Sequence, residues 1–119
     1  MAARIDAYVD TSAFIAFLDV SDTHHALFRR LFASPPARVL TTSLVVAEGH
    51  GWFLRRFDAV HALRFLAMIE DMPFLDVRAV GPSDLRGATE VLRRFDDQNL
   101  TVADAVGLHL MRDGAAASC

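Results

Sequence analysis

Three short β-prone runs, each followed by helical sequence, constrain the fold of this chain more than any other feature. The runs cover residues 5–9, 38–42 and 74–80. Apolar residues at helical spacing follow them, over residues 13–19, 23–33, 44–57, 59–71, 85–95 and 101–112. Strands that alternate with helices form βαβ units, in which the strands run parallel. We therefore predict an α/β protein with a central parallel sheet.

The length and composition of the chain indicate one domain. The chain has 119 residues, of which 53% are hydrophobic, so it can bury a sizeable core. It contains neither an internal repeat nor a low-complexity segment. We expect a single domain that spans residues 1–119.

Acidic residues interrupt apolar sequence close to the ends of the predicted strands. Asp10 directly follows the first β-prone run, and Glu48 follows soon after the second. Asp104 lies within the otherwise apolar start of the last helix. Ligands of open α/β sheets bind beyond the carboxyl ends of the strands. The positions of these acids therefore predict a site at that edge of the sheet.

Three carboxylates that meet at one point need a cation. A buried carboxylate is costly unless it is paired, hydrogen-bonded or bound to a metal. Asp10, Glu48 and Asp104 would repel one another, and hard cations such as Mg²⁺ and Mn²⁺ prefer oxygen ligands. The spacing of Cys and His residues does not match a zinc site. The pattern indicates a Mg²⁺ or Mn²⁺ site.

Each acid also has a purely structural interpretation. Thr101 and Asp104 are spaced as in a capping box, in which both side chains satisfy the first turn of a helix. Asp10 is placed to cap the helix that begins near Ser12. Glu48 has the alternative of a half-exposed helix residue. Each of the three acids therefore has both a structural and a metal-binding interpretation.

Three segments of the chain match a known family in order and in spacing. They are YVDTSAFIAFLD, VLTTSLVVAEGHGWFLRR and FDDQNLTVADAVGLHLMRDGA. Together they resemble the PIN domain and, within it, the VapC-type toxins of bacterial toxin–antitoxin pairs. The resemblance implies a three-layer α/β/α sandwich around a parallel sheet. It also implies a metal-dependent endoribonuclease that hydrolyses RNA with metal-activated water.

The resemblance assigns roles to individual residues. The family's acids fall on Asp10, Glu48 and Asp104, which would hold one or two Mg²⁺ or Mn²⁺ ions and be catalytic. Thr11 and Ser12 fall where the family often has a hydroxyl beside the metal. Asp97 is a weaker candidate, with a solvated loop as its alternative.

The chain departs from the family at its C-terminus. The family continues into another strand and a further acidic or polar residue, whereas this sequence stops at Ser118-Cys119. We therefore expect a sandwich truncated at this end, whose site lacks the family's last acid, which puts its metal affinity and activity in question. The alternative function is a catalytically impaired PIN-like module that acts by binding a protein. Phosphatase-like and receiver-like sites fit less well, because position 12 is Ser and the chain has no lysine.

The resemblance implies RNA as substrate, a cognate antitoxin as protein partner, and a homodimer. The net charge of −3 shows no overall basic footprint, so RNA would have to be bound by a local arginine patch. The candidates for phosphate contacts are Arg55, Arg56, Arg93 and Arg94, with solvated helix faces as the alternative. We expect Trp52 and Phe53 to pack in the core or an interface rather than against a base.

The sequence suggests a cytoplasmic protein. Its one cysteine, Cys119, excludes an intrachain disulfide, which fits a reducing compartment. The N-terminus does not resemble a signal peptide, and the sequence has no apolar run long enough to span a membrane.

Overall fold

The predicted parallel sheet is present. The computed structural model describes residues 7–34 and 39–112. Within these residues the strands are β1, Ala7–Tyr8; β2, Val39–Thr42; and β3, Leu75–Arg78. They pair in the order β1-β2-β3, and both pairings are parallel, with Tyr8 opposite Leu40.

Six helices follow the strands in the predicted order. They are α1, Thr11–Leu18; α2, His25–Ala33; α3, Ser43–Arg56; α4, Ala59–Glu70; α5, Pro82–Arg94; and α6, Val102–Arg112. Helices α1 and α5 begin two and three residues earlier than their periodicity predicts. The carboxylate of Asp10 caps α1, which starts at Thr11. Pro82 opens α5 at a position where its missing N–H is no loss.

Strand β2 is buried on both of its faces. Val39, Leu40, Thr41 and Thr42 are each at most 1% exposed. A strand that is covered on both faces needs helices on either side of the sheet, which confirms the three-layer α/β/α sandwich. The Thr41 hydroxyl is satisfied in this dry layer because it donates to the Val9 carbonyl at 2.9 Å.

Aromatic side chains pack three of the helices against one another. Phe14 of α1 is fully buried and packs on Phe65 of α4, with ring centroids 6.0 Å apart in an edge-to-face arrangement. Phe14 also packs on Phe32 of α2 at 5.8 Å. These contacts place α1, α2 and α4 around one core and fix the start of α1, which carries the candidate site.

Some apolar residues that lie at helical spacing are exposed. Leu27 is 53% exposed, and Leu85 and Phe95 are 43% and 36% exposed. The buried stripe on each of these helices is narrower than the periodicity suggests, because neighbouring residues such as Phe32 and Val91 make the contacts with the core. Helical periodicity alone therefore does not predict whether these three positions are buried.

Among the described residues, none of the helices is long and apolar enough to cross a membrane. The expected truncation at Ser118-Cys119 lies outside the described residues.

Candidate active site

A cleft of about 460 Å³ lies at the carboxyl ends of β1 and β2. All three predicted acids, Asp10, Glu48 and Asp104, line it. They come from three separate parts of the chain: the β1–α1 junction, α3 and α6. The fold therefore brings together the carboxylates that are far apart in the sequence.

Asp10 both caps α1 and faces the cleft. Its Oδ1 accepts a hydrogen bond from the Ala13 N–H at 3.1 Å and another from the Ser12 hydroxyl at 2.7 Å. Both bonds go to one oxygen of a carboxylate that is exposed to solvent. The capping interpretation is thus correct, and it is compatible with a ligand at the second oxygen.

Glu48 is held by Thr11. The Thr11 hydroxyl donates to Glu48 Oε1 at 2.5 Å, a short distance typical of a charge-assisted bond. Thr11 is only 8% exposed, and Glu48 is half-buried. The bond ties the start of α1 to α3 and fixes the carboxylate at the cleft wall.

Asp104 takes part in the predicted capping box. Its Oδ2 accepts from the Thr101 N–H at 3.1 Å, and the Thr101 hydroxyl accepts from the Asp104 N–H at 3.1 Å. The box uses one carboxylate oxygen and fixes the first turn of α6. Asp104 therefore reaches the cleft from a rigid position.

Asp97 lies apart from these acids. It is exposed in the turn after α5, where the Gln98 N–H donates to the Phe95 carbonyl at 3.0 Å. It is not among the described residues that line the cleft. The position matches the solvated loop that was its alternative.

Tyr8 belongs to the site although the sequence reasoning passed over it. It lines a second cleft of about 270 Å³ that shares Asp10 and Asp104 with the first. Burial raises the pKa of the Tyr8 phenol, and the charges of the three carboxylates raise it further, against a lowering by the Thr42 side chain. The signal was available, because Tyr8 stands two residues before Asp10 and strand side chains alternate with that period.

The Tyr8 ring fits against α6 only because residue 107 is glycine. A Cβ atom at Gly107 would lie 2.7 Å from Tyr8 Cε1 and 2.9 Å from its hydroxyl oxygen. The close approach of helix and ring brings Asp104, on the same helix, towards Asp10.

The donor set suits a hard divalent cation. Carboxylate and hydroxyl oxygens line the cleft, and these are the ligands that Mg²⁺ prefers. Within residues 7–34 and 39–112, however, no group of three His, Cys, Asp or Glu side chains is close enough to hold a metal together. Mg²⁺ usually keeps several waters and binds proteins through one or two carboxylates. The residues fit a cation held by part of the acid set and by water.

A separate apolar groove of about 440 Å³ lies between the end of α1 and helices α3 and α4. Leu18, Phe53, Phe57 and Phe65 line it. It contains none of the candidate acids, so it is a different surface from the cleft.

Comparisons with known proteins agree with this architecture. The family model of the PIN domain matches residues 7–117. Among solved structures, the chain is similar to VapC20 of Mycobacterium tuberculosis, a toxin that cleaves the sarcin–ricin loop. The TM-score is 0.83 at 27% sequence identity, over 96% of this chain and 89% of that chain. A search of curated protein sequences finds no match. The chain belongs to the PIN domain family, and its structure is that of a VapC-type PIN domain.

Proposed function

We propose that this protein is an endoribonuclease toxin of the VapC type, which hydrolyses RNA with the help of Mg²⁺ or Mn²⁺. The observation that carries the proposal is that Asp10, Glu48 and Asp104 line one cleft in a PIN domain. The similarity to VapC20, which cleaves an RNA loop, supports the same reaction class.

The chain's own residues have distinct roles in this proposal. Asp10 and Asp104 each use one carboxylate oxygen in capping and would bind the cation with the other. The hydrogen bond from Thr11 orients Glu48. When bound there, a divalent cation supplies an activated water and neutralises charge on the scissile phosphate. Ser12 holds Asp10 in place, and the exposed Arg55 lies in the same cleft, where it can contact phosphate.

We propose an antitoxin and a second copy of the chain as protein partners, and the cytoplasm as the place of action. Exposed apolar residues support the proposal that such partners bind. Val20, Val60 and Leu63 are 81%, 54% and 62% exposed near the apolar groove. By contrast, Phe53, which the sequence placed in the core or an interface, is buried in the core.

A cleavage assay tests the function. The purified chain is incubated with a sarcin–ricin loop RNA hairpin and with total RNA, in Mn²⁺ and in excess chelator. We expect cleavage in Mn²⁺ that chelator abolishes. Asp104→Asn should lose cleavage and keep its fold, since the Asn side-chain oxygen can still accept the hydrogen bond from the Thr101 N–H. Asp96→Asn is the matched control, because Asp96 lies in the exposed turn outside the cleft. Full cleavage by Asp104→Asn would contradict the proposal.

The alternative is a catalytically impaired PIN domain that acts by protein binding. Two observations favour it: the described acids do not form a ready three-ligand group, and the apolar groove is separate from the cleft. It predicts a stable protein that shows no metal-dependent cleavage of any RNA. The cleavage assay therefore separates the two functions.

A further inference from the structure

One face of α3 presents a carboxylate, an aromatic ring and a cation to the cleft. Glu48, Trp52 and Arg55 are four and three residues apart, so they lie in one row along the helix. All three line the cleft. The row places an aromatic ring and a cation directly beside the carboxylates.

Trp52 is held in place but not buried. Its ring packs at right angles on Phe53 and Phe57, with centroids 4.9 and 6.1 Å away and interplanar angles of 83° and 70°. Phe53 is 5% exposed, as expected of a core residue, whereas Trp52 is only half-buried and faces the cleft. The expectation of a core or interface role holds for Phe53 and is incomplete for Trp52.

Arg55 is directed back along α3 towards the cleft. A Cβ atom at Gly51 would lie 3.0 Å from Arg55 Nη1, so the guanidinium lies over the space that glycine leaves. Arg55 is exposed and makes no ion pair with any described residue. Its neighbour Arg56 is placed differently, with its guanidinium carbon 5.4 Å above the Phe57 ring.

We infer that Trp52 and Arg55 bind an unpaired nucleotide next to the scissile phosphate, with the base stacked on Trp52 and its phosphate bound by Arg55. The inference rests on the proposed ribonuclease function. Bases stack on aromatic side chains only when they are free of their own helix, and this contact tolerates any base. Arginine supplies paired donors for a phosphate. The two side chains together hold the base and the phosphate of one nucleotide beside the carboxylates of the cleft.

Intrinsic fluorescence tests the stacking directly, because Trp52 is the only tryptophan of the chain. The full-length Asp104→Asn variant, which should not cleave, is titrated with a short single-stranded RNA and with a blunt duplex of the same sequence. Binding is followed in parallel by the anisotropy of a labelled RNA. We expect saturable quenching by the single strand and at least about tenfold weaker binding of the duplex.

Matched variants in the same Asp104→Asn background test the role of the Arg55 guanidinium. Arg55→Gln should weaken binding of the single strand about tenfold, and Arg56→Gln should leave it unchanged within about twofold. Gly51→Ala should weaken it as well, since the added methyl displaces the guanidinium. Trp52→Phe should retain more affinity than Trp52→Leu, because it keeps a ring for stacking.

Two results would overturn the inference alone. One is saturable RNA binding by anisotropy without a change in Trp52 fluorescence, and the other is equal affinity of Arg55→Gln and Arg56→Gln. If the native protein still cleaves RNA in either case, the ribonuclease function stands and the nucleotide site is elsewhere. If it neither binds nor cleaves any RNA, the proposed function fails and the inference fails with it.

Discussion

The Thr11 hydroxyl donates a hydrogen bond of 2.5 Å to Glu48 Oε1, across 37 positions of sequence. This bond connects the residue that follows Asp10 to the second acid of the cleft. It couples the geometry of α1 to that of α3. Thr11 therefore positions a carboxylate rather than merely filling the space beside it.

Removal of the Thr11 hydroxyl should reduce both stability and activity. Thr11→Val keeps the shape of the side chain but leaves Glu48 without its donor, which should cost about 1–2 kcal/mol of unfolding free energy. RNA cleavage should fall by about tenfold to hundredfold, because the carboxylate is no longer held. Thr11→Ser is the matched control and should retain most of both. Urea denaturation and initial cleavage rates measure the two effects. Native cleavage by Thr11→Val would show that the bond is only structural.

Two substitutions of Asp10 should distinguish its capping role from its role in cleavage. Asp10→Asn keeps an oxygen for the Ala13 N–H and Ser12, so its unfolding free energy should stay near that of the native protein. Asp10→Ala should lose about 1 kcal/mol, because the cap is gone. Both should fail to cleave RNA. Thermal denaturation compared with cleavage rates makes the distinction; equal stability of the two variants would speak against the capping role.

Gly107 should not tolerate a side chain. Gly107→Ala places a methyl 2.7 Å from the Tyr8 ring, and we expect a loss of about 1–3 kcal/mol of unfolding free energy from overpacking. Gly51→Ala is the comparison, since its methyl meets only the flexible end of Arg55. It should be neutral or stabilise α3 by up to about 1 kcal/mol. Similar destabilisation of both variants in urea would contradict this account of the Tyr8 contact.

Asp58 should contribute to the acid sensitivity of the fold. Hydrogen bonds from the His61 N–H and from the His61 ring, at 2.9 and 2.7 Å, lower the pKa of Asp58 below its usual value. Because the folded pKa is below the unfolded one, the carboxylate stabilises the fold above about pH 4. This contribution is lost as the pH falls through the folded pKa.

Urea denaturation at a series of acidic pH values measures that loss. Asp58→Asn still caps α4 but does not titrate, so its stability should fall less between about pH 5 and pH 3. Parallel pH profiles for the native protein and this variant would assign the acid sensitivity to other groups.

The arrangement of strands and helices was predictable because it depends on local patterns. The β-prone runs and the helical periodicity gave the correct order of elements, and the resemblance gave the family. The exposure of Leu27 and Leu85 was not predictable, because it depends on how far each helix is rotated against the core. Periodicity defines a stripe, whereas packing decides its width.

The candidate site divides in the same way. The convergence of Asp10, Glu48 and Asp104 on one cleft agrees with the sequence prediction, while their metal and catalytic roles stay predictions. The orientation of Trp52 towards the cleft was missed, although its spacing of four residues from Glu48 places both side chains on one face of α3. The approach of Tyr8 depends on the absence of a side chain at Gly107, a tertiary contact without a local signal.

We propose that the cleft lined by Asp10, Glu48 and Asp104 binds a divalent cation, and calorimetric titration with Mn²⁺ tests this most directly. The native chain and its Asp10→Asn variant are titrated under the same conditions. We predict saturable binding by the native chain and none, or far weaker binding, by the variant. Equal heats from both, or no binding by either, would contradict the claim and favour the protein-binding alternative.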